Sequence, residues 1–235
     1  MTDKLPRKLI QELDNLAHKL VTAAPEERNR ILTHLLRYEE SGKVPLGALV
    51  RMTEEEEVNA VSVYAIEALG RNRQPEAVAQ LLRLLQRHRG ENYMLLETLV
   101  DALGETGSPQ GAQPLLELLG FRPMWRSWLE RVLPWLRAKE DASARARREY
   151  LVLPVLRALA KIKEPRASVR LGMFLEHKDP LVRWHTIQNL VNTGRREHLP
   201  DLRKMAEQDP NDMVREMASI ALEKLEPPRA VPAAG

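Results

Sequence analysis

The chain repeats itself. Asp179-Pro180-Leu181-Val182-Arg183 opens a stretch that runs on through Ile187 and Leu190. Thirty residues later Asp209-Pro210-Asn211-Asp212-Met213-Val214-Arg215 opens a second in the same frame, with two residues inserted. Asp-Pro suits a helix start. The carboxylate accepts from free N–H groups of the first turn, and proline's fixed φ fits the first helical position. Apolar residues then recur at three- and four-residue spacing, the period of one buried helix face. A helical repeat of this length cannot bury its apolar face alone and must stack on its neighbours. That predicts an all-α solenoid, a superhelix of antiparallel helix pairs.

The rest of the chain agrees. Leu, Ala, Arg and Glu dominate, and runs of β-branched residues are scarce. The absence of Cys excludes disulfides, thiol catalysis and Cys-based zinc sites. The opening, Met1-Thr2-Asp3-Lys4-Leu5-Pro6, lacks the apolar core of a secretory signal. No uncharged apolar run reaches the roughly 18 residues of a spanning helix. A soluble cytoplasmic protein is expected.

Leu5, Leu9, Leu13, Leu16 and Leu20 share one side of a first helix, and Ile31, Leu32, Leu35 and Leu36 face inward on a second. These fit the repeat frame poorly, so residues 1–52 are expected to be an atypical N-terminal cap. Thr53-Glu54-Glu55-Glu56 has the pattern of a capping box. Repeats are expected over 53–120 and again over 149–226, with Gly70 and Gly104 ending their helices and a disordered tail at 227–235. Leu69-Gly70 and Leu103-Gly104 lie 34 residues apart, but the next match, Leu159-Ala160, comes 56 residues on. The surplus of about 22 residues is an insertion, assigned with its link to 121–148. It holds Trp125, Trp128 and Trp135 with Arg126 and Arg131, a Trp-rich amphipathic helix that covers the core, binds a partner or mediates self-association. Lys139 to Arg148 reads as a polar link or a helix start, Tyr150 to Ile162 and Arg166 to Glu176 as helices. All parts are expected to form one continuous domain.

The frame resembles HEAT repeats, in particular the short bacterial kind named after phycobilisome lyases. That resemblance implies a structural role for Asp179, Arg183, Asp209 and Arg215, the arginine of one repeat bonding to the aspartate near a neighbouring helix start. It also implies a concave face lined by the second helix of each pair. Aligned by column, Val61, Ile66 and Leu69, then Leu95, Val100 and Leu103, then Leu151, Leu156 and Leu159, then Val182, Ile187 and Leu190 are core. The columns left for the concave face hold Glu67, Glu97, Asp101, Arg157, Lys161, Trp184 and Gln188. The groove is expected to run from acidic to basic, with Trp184 beside the basic part.

No Gly-rich phosphate loop, nucleophile elbow or His-Glu-x-x-His helix is present. Iron-binding HEAT arrays such as deoxyhypusine hydroxylase use His-Glu pairs. Here only the reversed order occurs, Glu176-His177 and Glu197-His198, so no metal or other cofactor is expected. The net charge of +3 conceals 13 Lys or Arg against 5 Asp or Glu between Arg122 and Arg170. The functional expectation is a non-enzymatic scaffold or adaptor that binds a protein partner through the groove and the inserted helix. The alternatives are nucleic-acid binding through 122–170, with alkylpurine DNA glycosylases as the enzymatic variant, and a phycobilin-lyase-like subunit. Self-association as a homodimer is a further outcome. Membrane association is disfavoured because Glu130, Glu140 and Asp141 dilute the basic face.

Overall fold

The computed structural model describes residues 46–53, 60–88, 92–121 and 142–226, with Asn15 and Val132. The described elements are helical and are labelled in order. They are α1 (Leu46–Met52), α2 (Ala60–Arg71), α3 (Pro75–Arg87), α4 (Tyr93–Thr106), a 3-10 turn (Pro109–Gly111) and α5 (Ala112–Leu118). Then come α6 (Ala142–Ile162), α7 (Pro165–Ser168), a 3-10 helix (Leu171–Glu176), α8 (Pro180–Asn192), α9 (Leu199–Gln208) and α10 (Asp212–Leu225). The chain divides into two compact units, Met1–Gly111 and Ala112–Gly235. The N-terminal cap, the capping box beyond Thr53, the Trp-rich insertion and the tail lie outside the described residues.

In the first unit α2 and α4 lie side by side, and α3 packs across both. Pro75 at the first helical position starts α3, which turns Ala77, Val78, Leu81, Leu84 and Leu85 inward. Asn92 caps α4, its side chain accepting from the N–H groups of Met94 and Leu95 at 3.0 and 3.2 Å. Ile66, Leu69, Leu95, Val100 and Leu103 are all buried. The Thr53 hydroxyl, at the end of α1, donates to the Val50 carbonyl and accepts from the Gln80 amide of α3.

The glycines expected to end the helices do something else. Gly70 and Gly104 lie inside α2 and α4. A Cβ on Gly70 would stand 2.7 Å from the Ala102 Cα. Gly70 is therefore what lets the two helices approach this closely. The end of α4 is set three residues past Gly104 by Gly107, at φ 64° in the left-handed region, with its N–H on the Gly104 carbonyl.

In the second unit α6, α8 and α10 form a row, with the 3-10 helix behind α8 and α9 behind α10. Leu151, Leu156, Leu159, Val182, Ile187 and Leu190 are buried, as are Val214, Ala218, Ala221 and Leu225 of α10. Two side-chain amides, that of Asn189 buried, tie α8 to α6. Asn189 donates to the Leu156 carbonyl at 2.9 Å, and Asn192 donates to that of Ala160 at 3.1 Å. Two elements differ from expectation. α6 begins at Ala142, because the Ala-Arg run 144–148 consists of strong helix formers. Its Pro154 is buried inside the helix. The helix expected from Arg166 to Glu176 is broken into one turn and a 3-10 segment. Side chains after α8 explain the break. Arg195 donates to the Pro165 carbonyl and the Ser168 hydroxyl, and Thr193 donates to the same hydroxyl, so the turn is held from outside.

The close contact at Gly70 yields a prediction. Gly70→Ala raises helix propensity by about 1 kcal/mol. The added methyl meets backbone, so the net effect is expected to be destabilising by about 1–3 kcal/mol. Urea unfolding of the two proteins measures it, and an unchanged or raised stability would overturn the packing argument.

Candidate functional site

Four carboxylates gather on the first unit. Glu97, Asp101 and Glu105 follow one another at four-residue spacing along α4, and Glu67 stands on the adjacent α2. With Arg71, Met94, Thr98 and Ala102 they line one open cavity of about 280 Å³. Glu97 and Asp101 are half-buried, and Glu67, Arg71 and Glu105 are exposed. Met94 at its end is 66% exposed. The core columns dictate this placement. With Leu95, Leu96, Leu99, Val100, Ala102 and Leu103 turned inward, 97, 101 and 105 are left outside.

On the second unit the same logic leaves different chemistry. From Leu151 onward nearly every side of α6 is core, and the stripe left there is Leu153, Arg157 and Lys161. On α8 the outer residues are Leu181, Trp184 and Gln188, and on α10 Met213, Glu216 and Ile220. Trp184 is half-buried and packs on the apolar cluster built around Ile187, Leu190 and Val214. Its ring meets His185 edge-on, with centroids 4.7 Å apart. His185 Nδ1 lies 3.2 Å from Gln188 Oε1. Burial pushes the His185 pKa down, the Gln188 bond works the other way, and the Arg157 charge lowers it further. The ring is thus biased toward its neutral form, with Arg157 near enough to act on it.

The four residues with an implied structural role divide their work unevenly. Arg183 reaches the next repeat and grips Asp209 with two bonds, Nε to Oδ2 at 2.8 Å and Nη2 to Oδ1 at 2.7 Å. Its Nη1 donates to the carbonyls of His177 and Lys178. Both partners are buried. Asp179 caps α8 instead, accepting from the Leu181 N–H at 2.9 Å. Arg215 stays within its own repeat, donating to the Asp209 carbonyl at 2.6 Å and to the Asp212 carboxylate. The two Asp-Pro stretches are therefore not equivalent. The two inserted residues pass the cap of α10 to Asn211, which accepts from the Val214 N–H, and free Asp209 for the ion pair.

Sequence reasoning missed a second cavity, of about 480 Å³, between the 3-10 helix and α9. Its floor is the Arg183–Asp209 pair, and Met173, Leu175 and Met205 contribute apolar surface. Lys178, Arg183 and Lys204 face Glu176, Asp201 and Asp209 around it, so it presents no net charge. Among the described residues no group of three or more His, Asp or Glu is arranged to hold a metal ion. None of the described helices is long and apolar enough to cross a membrane. Trp125, Arg126, Trp128, Arg131 and Trp135 lie outside the described residues.

A family model for HEAT repeats matches residues 47–134 and 168–234, well over half of the sequence. The chain belongs to the HEAT-repeat family. HEAT repeats stack helix pairs into extended surfaces that bind other proteins, so a protein partner follows at that coarse level. A comparison with curated proteins returned no match. Among solved structures, human deoxyhypusine hydroxylase in complex with glycerol is similar over 93% of this chain and 97% of its own, at 18% identity and a TM-score of 0.40. The expectation of a non-enzymatic scaffold or adaptor is not retained, because membership of the HEAT-repeat family does not establish that a chain is non-enzymatic. The scaffold reading is withdrawn, with its glycosylase and bilin-lyase alternatives. HEAT repeats alone leave open whether a chain catalyses a reaction.

The inter-repeat pair has a measurable consequence. Burial pushes the Asp209 carboxyl up, but the bonds from Arg183 and the Asn211 backbone, with the charges of Arg183 and Arg215, hold it below its ordinary value. The folded state then binds fewer protons than the unfolded chain. The stability from this pair is full above the ordinary carboxylate value of about 4 and is lost as pH falls through the lower folded value. Asp209→Asn, which leaves Arg183 buried without its counter-charge, is expected to cost about 3–5 kcal/mol at neutral pH. The gap to the parent narrows in acid. A loss under about 1 kcal/mol, the level of an exposed pair, would contradict the assignment.

Proposed function

We propose that the chain recognises a protein partner on the α2–α4 face of its first unit, and that the recognised segment is basic. Membership of the HEAT-repeat class supports a protein partner in general terms. The chemistry rests on one observation, the stripe Glu97, Asp101 and Glu105 facing Glu67 across a shared cavity. Among the described residues that line the cavity, these four carboxylates stand with one guanidinium, that of Arg71, a formal balance of −3.

The volume narrows the choice. About 280 Å³ lies at the bottom of the range of about 300–1,000 Å³ typical of pockets that enclose a small molecule. It is room for a side chain. Lys or Arg fits best, since its charged head meets carboxylate while its methylene stem lies along an apolar surface such as exposed Met94. Charges on an open wall act mainly through association rate and choice of partner. Arg71 disfavours a uniformly cationic segment at its own position and so helps to set register. Recognition of this kind is compatible with an enzyme and with a non-enzyme alike.

A fluorescein-labelled peptide of about 15 residues, helical and rich in Lys and Arg on one face, is the probe, read by anisotropy against an acidic control. Glu97→Lys/Asp101→Lys is expected to raise its dissociation constant about tenfold or more, and salt near 0.5 M to do the same. Equal binding of the acidic control, or affinity unmoved by the double reversal, would remove the reading.

A further inference from the structure

The two units carry opposite charge. Residues 1–111 hold 14 Lys or Arg against 17 Asp or Glu, a balance of −3, while residues 112–235 hold 22 against 16, a balance of +6. The difference is expressed on corresponding faces. The row of second helices presents Glu97, Asp101 and Glu105 in the first unit and Leu153, Arg157 and Lys161 in the second. Both stripes have four-residue spacing, so successive side chains in each stand about 6 Å apart along the helix. Two such stripes laid side by side keep register over their whole length.

The apolar parts also correspond. In the second unit Leu181, Met213 and Ile220 are exposed on the layer that holds half-buried Trp184. A Trp beside Arg is a common composition for the energetic centre of an interface. In the first unit Tyr93 and Met94, both exposed, stand at the head of the acidic stripe. Each face thus combines a charged stripe of one sign with an apolar end, and the signs are opposite.

We infer that the outer face of α6 and α8 in one copy of the chain docks on the α2–α4 face of a second copy. The inference rests on the reading proposed above for the first unit and names its basic partner. The contact joins unlike surfaces, so it is heterologous and either closes into a ring or continues from copy to copy. Charge complementarity selects a second copy as the occupant, because one chain supplies both the acidic acceptor and the matched basic donor. Salt weakens the contact by screening, while the apolar ends preserve part of it.

Sedimentation velocity over a concentration series, at low and at high salt, tests the inference on the full chain. The parent is expected to associate at low salt and to dissociate in part at high salt. Glu97→Lys/Asp101→Lys and Arg157→Glu/Lys161→Glu each alter exposed or half-buried side chains. Each is expected to weaken self-association about tenfold or more. An equimolar mixture of the two restores a complex, because the reversed α2–α4 face of one meets the reversed α6 face of the other, and the two intact faces also match. A parent that stays monomeric at low salt overturns the inference. So does association that survives reversal of Arg157 and Lys161, or a mixture that fails to associate although circular dichroism shows both variants folded. Binding of the basic peptide by a monomeric parent leaves the first-unit reading standing and removes this one. Loss of peptide binding as well removes both.

Discussion

A guanidinium buried between two repeats requires its carboxylate. Arg183 has one in Asp209, gripped through two nitrogens, and it also holds the carbonyls that precede α8. One side chain therefore fixes the entry to its own helix and the entry to the next repeat. The outer face of the second unit follows from this. With Arg183 drawn inward, the next residue on a helix lies about a third of a turn away. Trp184 is that residue, and it comes to rest over the α8–α10 cluster with its ring against His185. A buried ion pair is weak evidence for net stability, since desolvation offsets much of the attraction. Its value here is orientation, because neither partner can leave without stranding the other.

The first unit holds its helices by contact. Gly70 gives up a side chain so that α2 can approach Ala102 of α4, and the apolar residues turned inward leave the edge of α4 beside this contact facing outward. That edge carries Glu97, Asp101 and Glu105. Like charges at this spacing destabilise a helix by a few tenths of a kcal/mol per pair. The proposed use of the stripe is attraction of a cation-bearing partner. The second unit carries half-buried Arg157 and exposed Lys161 on α6 and adds exposed apolar residues on the layer of Trp184.

Much of the fold was legible because a stacked helix has few options. The column residues Ile66, Leu95, Leu156 and Ile187 had to be buried once the period was recognised, and the outer columns followed by subtraction. Local chemistry decided what was not legible. Asp209 looked like a helix cap by analogy with Asp179, but two inserted residues gave that role to Asn211. Gly70 and Gly104 looked like helix ends, because a sequence does not distinguish a glycine needed for space from one needed for a left-handed turn. The broken helix after Pro165 depends on Arg195, thirty residues away, which no local reading anticipates. The cavity above the Arg183–Asp209 pair is likewise assembled from distant residues. Function was least legible. The repeat frame identifies an architecture and not an activity, so it did not justify excluding catalysis.

The central claim is that the acidic edge of α4, with Glu67 of α2, is the recognition surface of the first unit. Backbone amide chemical shifts of the isotopically labelled chain, followed during titration with the basic peptide, test it most directly. The account predicts that the largest shifts fall on α2 and α4, around Glu67, Thr98, Asp101 and Glu105, and shrink as salt is added. Shifts centred instead on the residues around the larger cavity, such as Met173, Lys204 and Gln208, would contradict it.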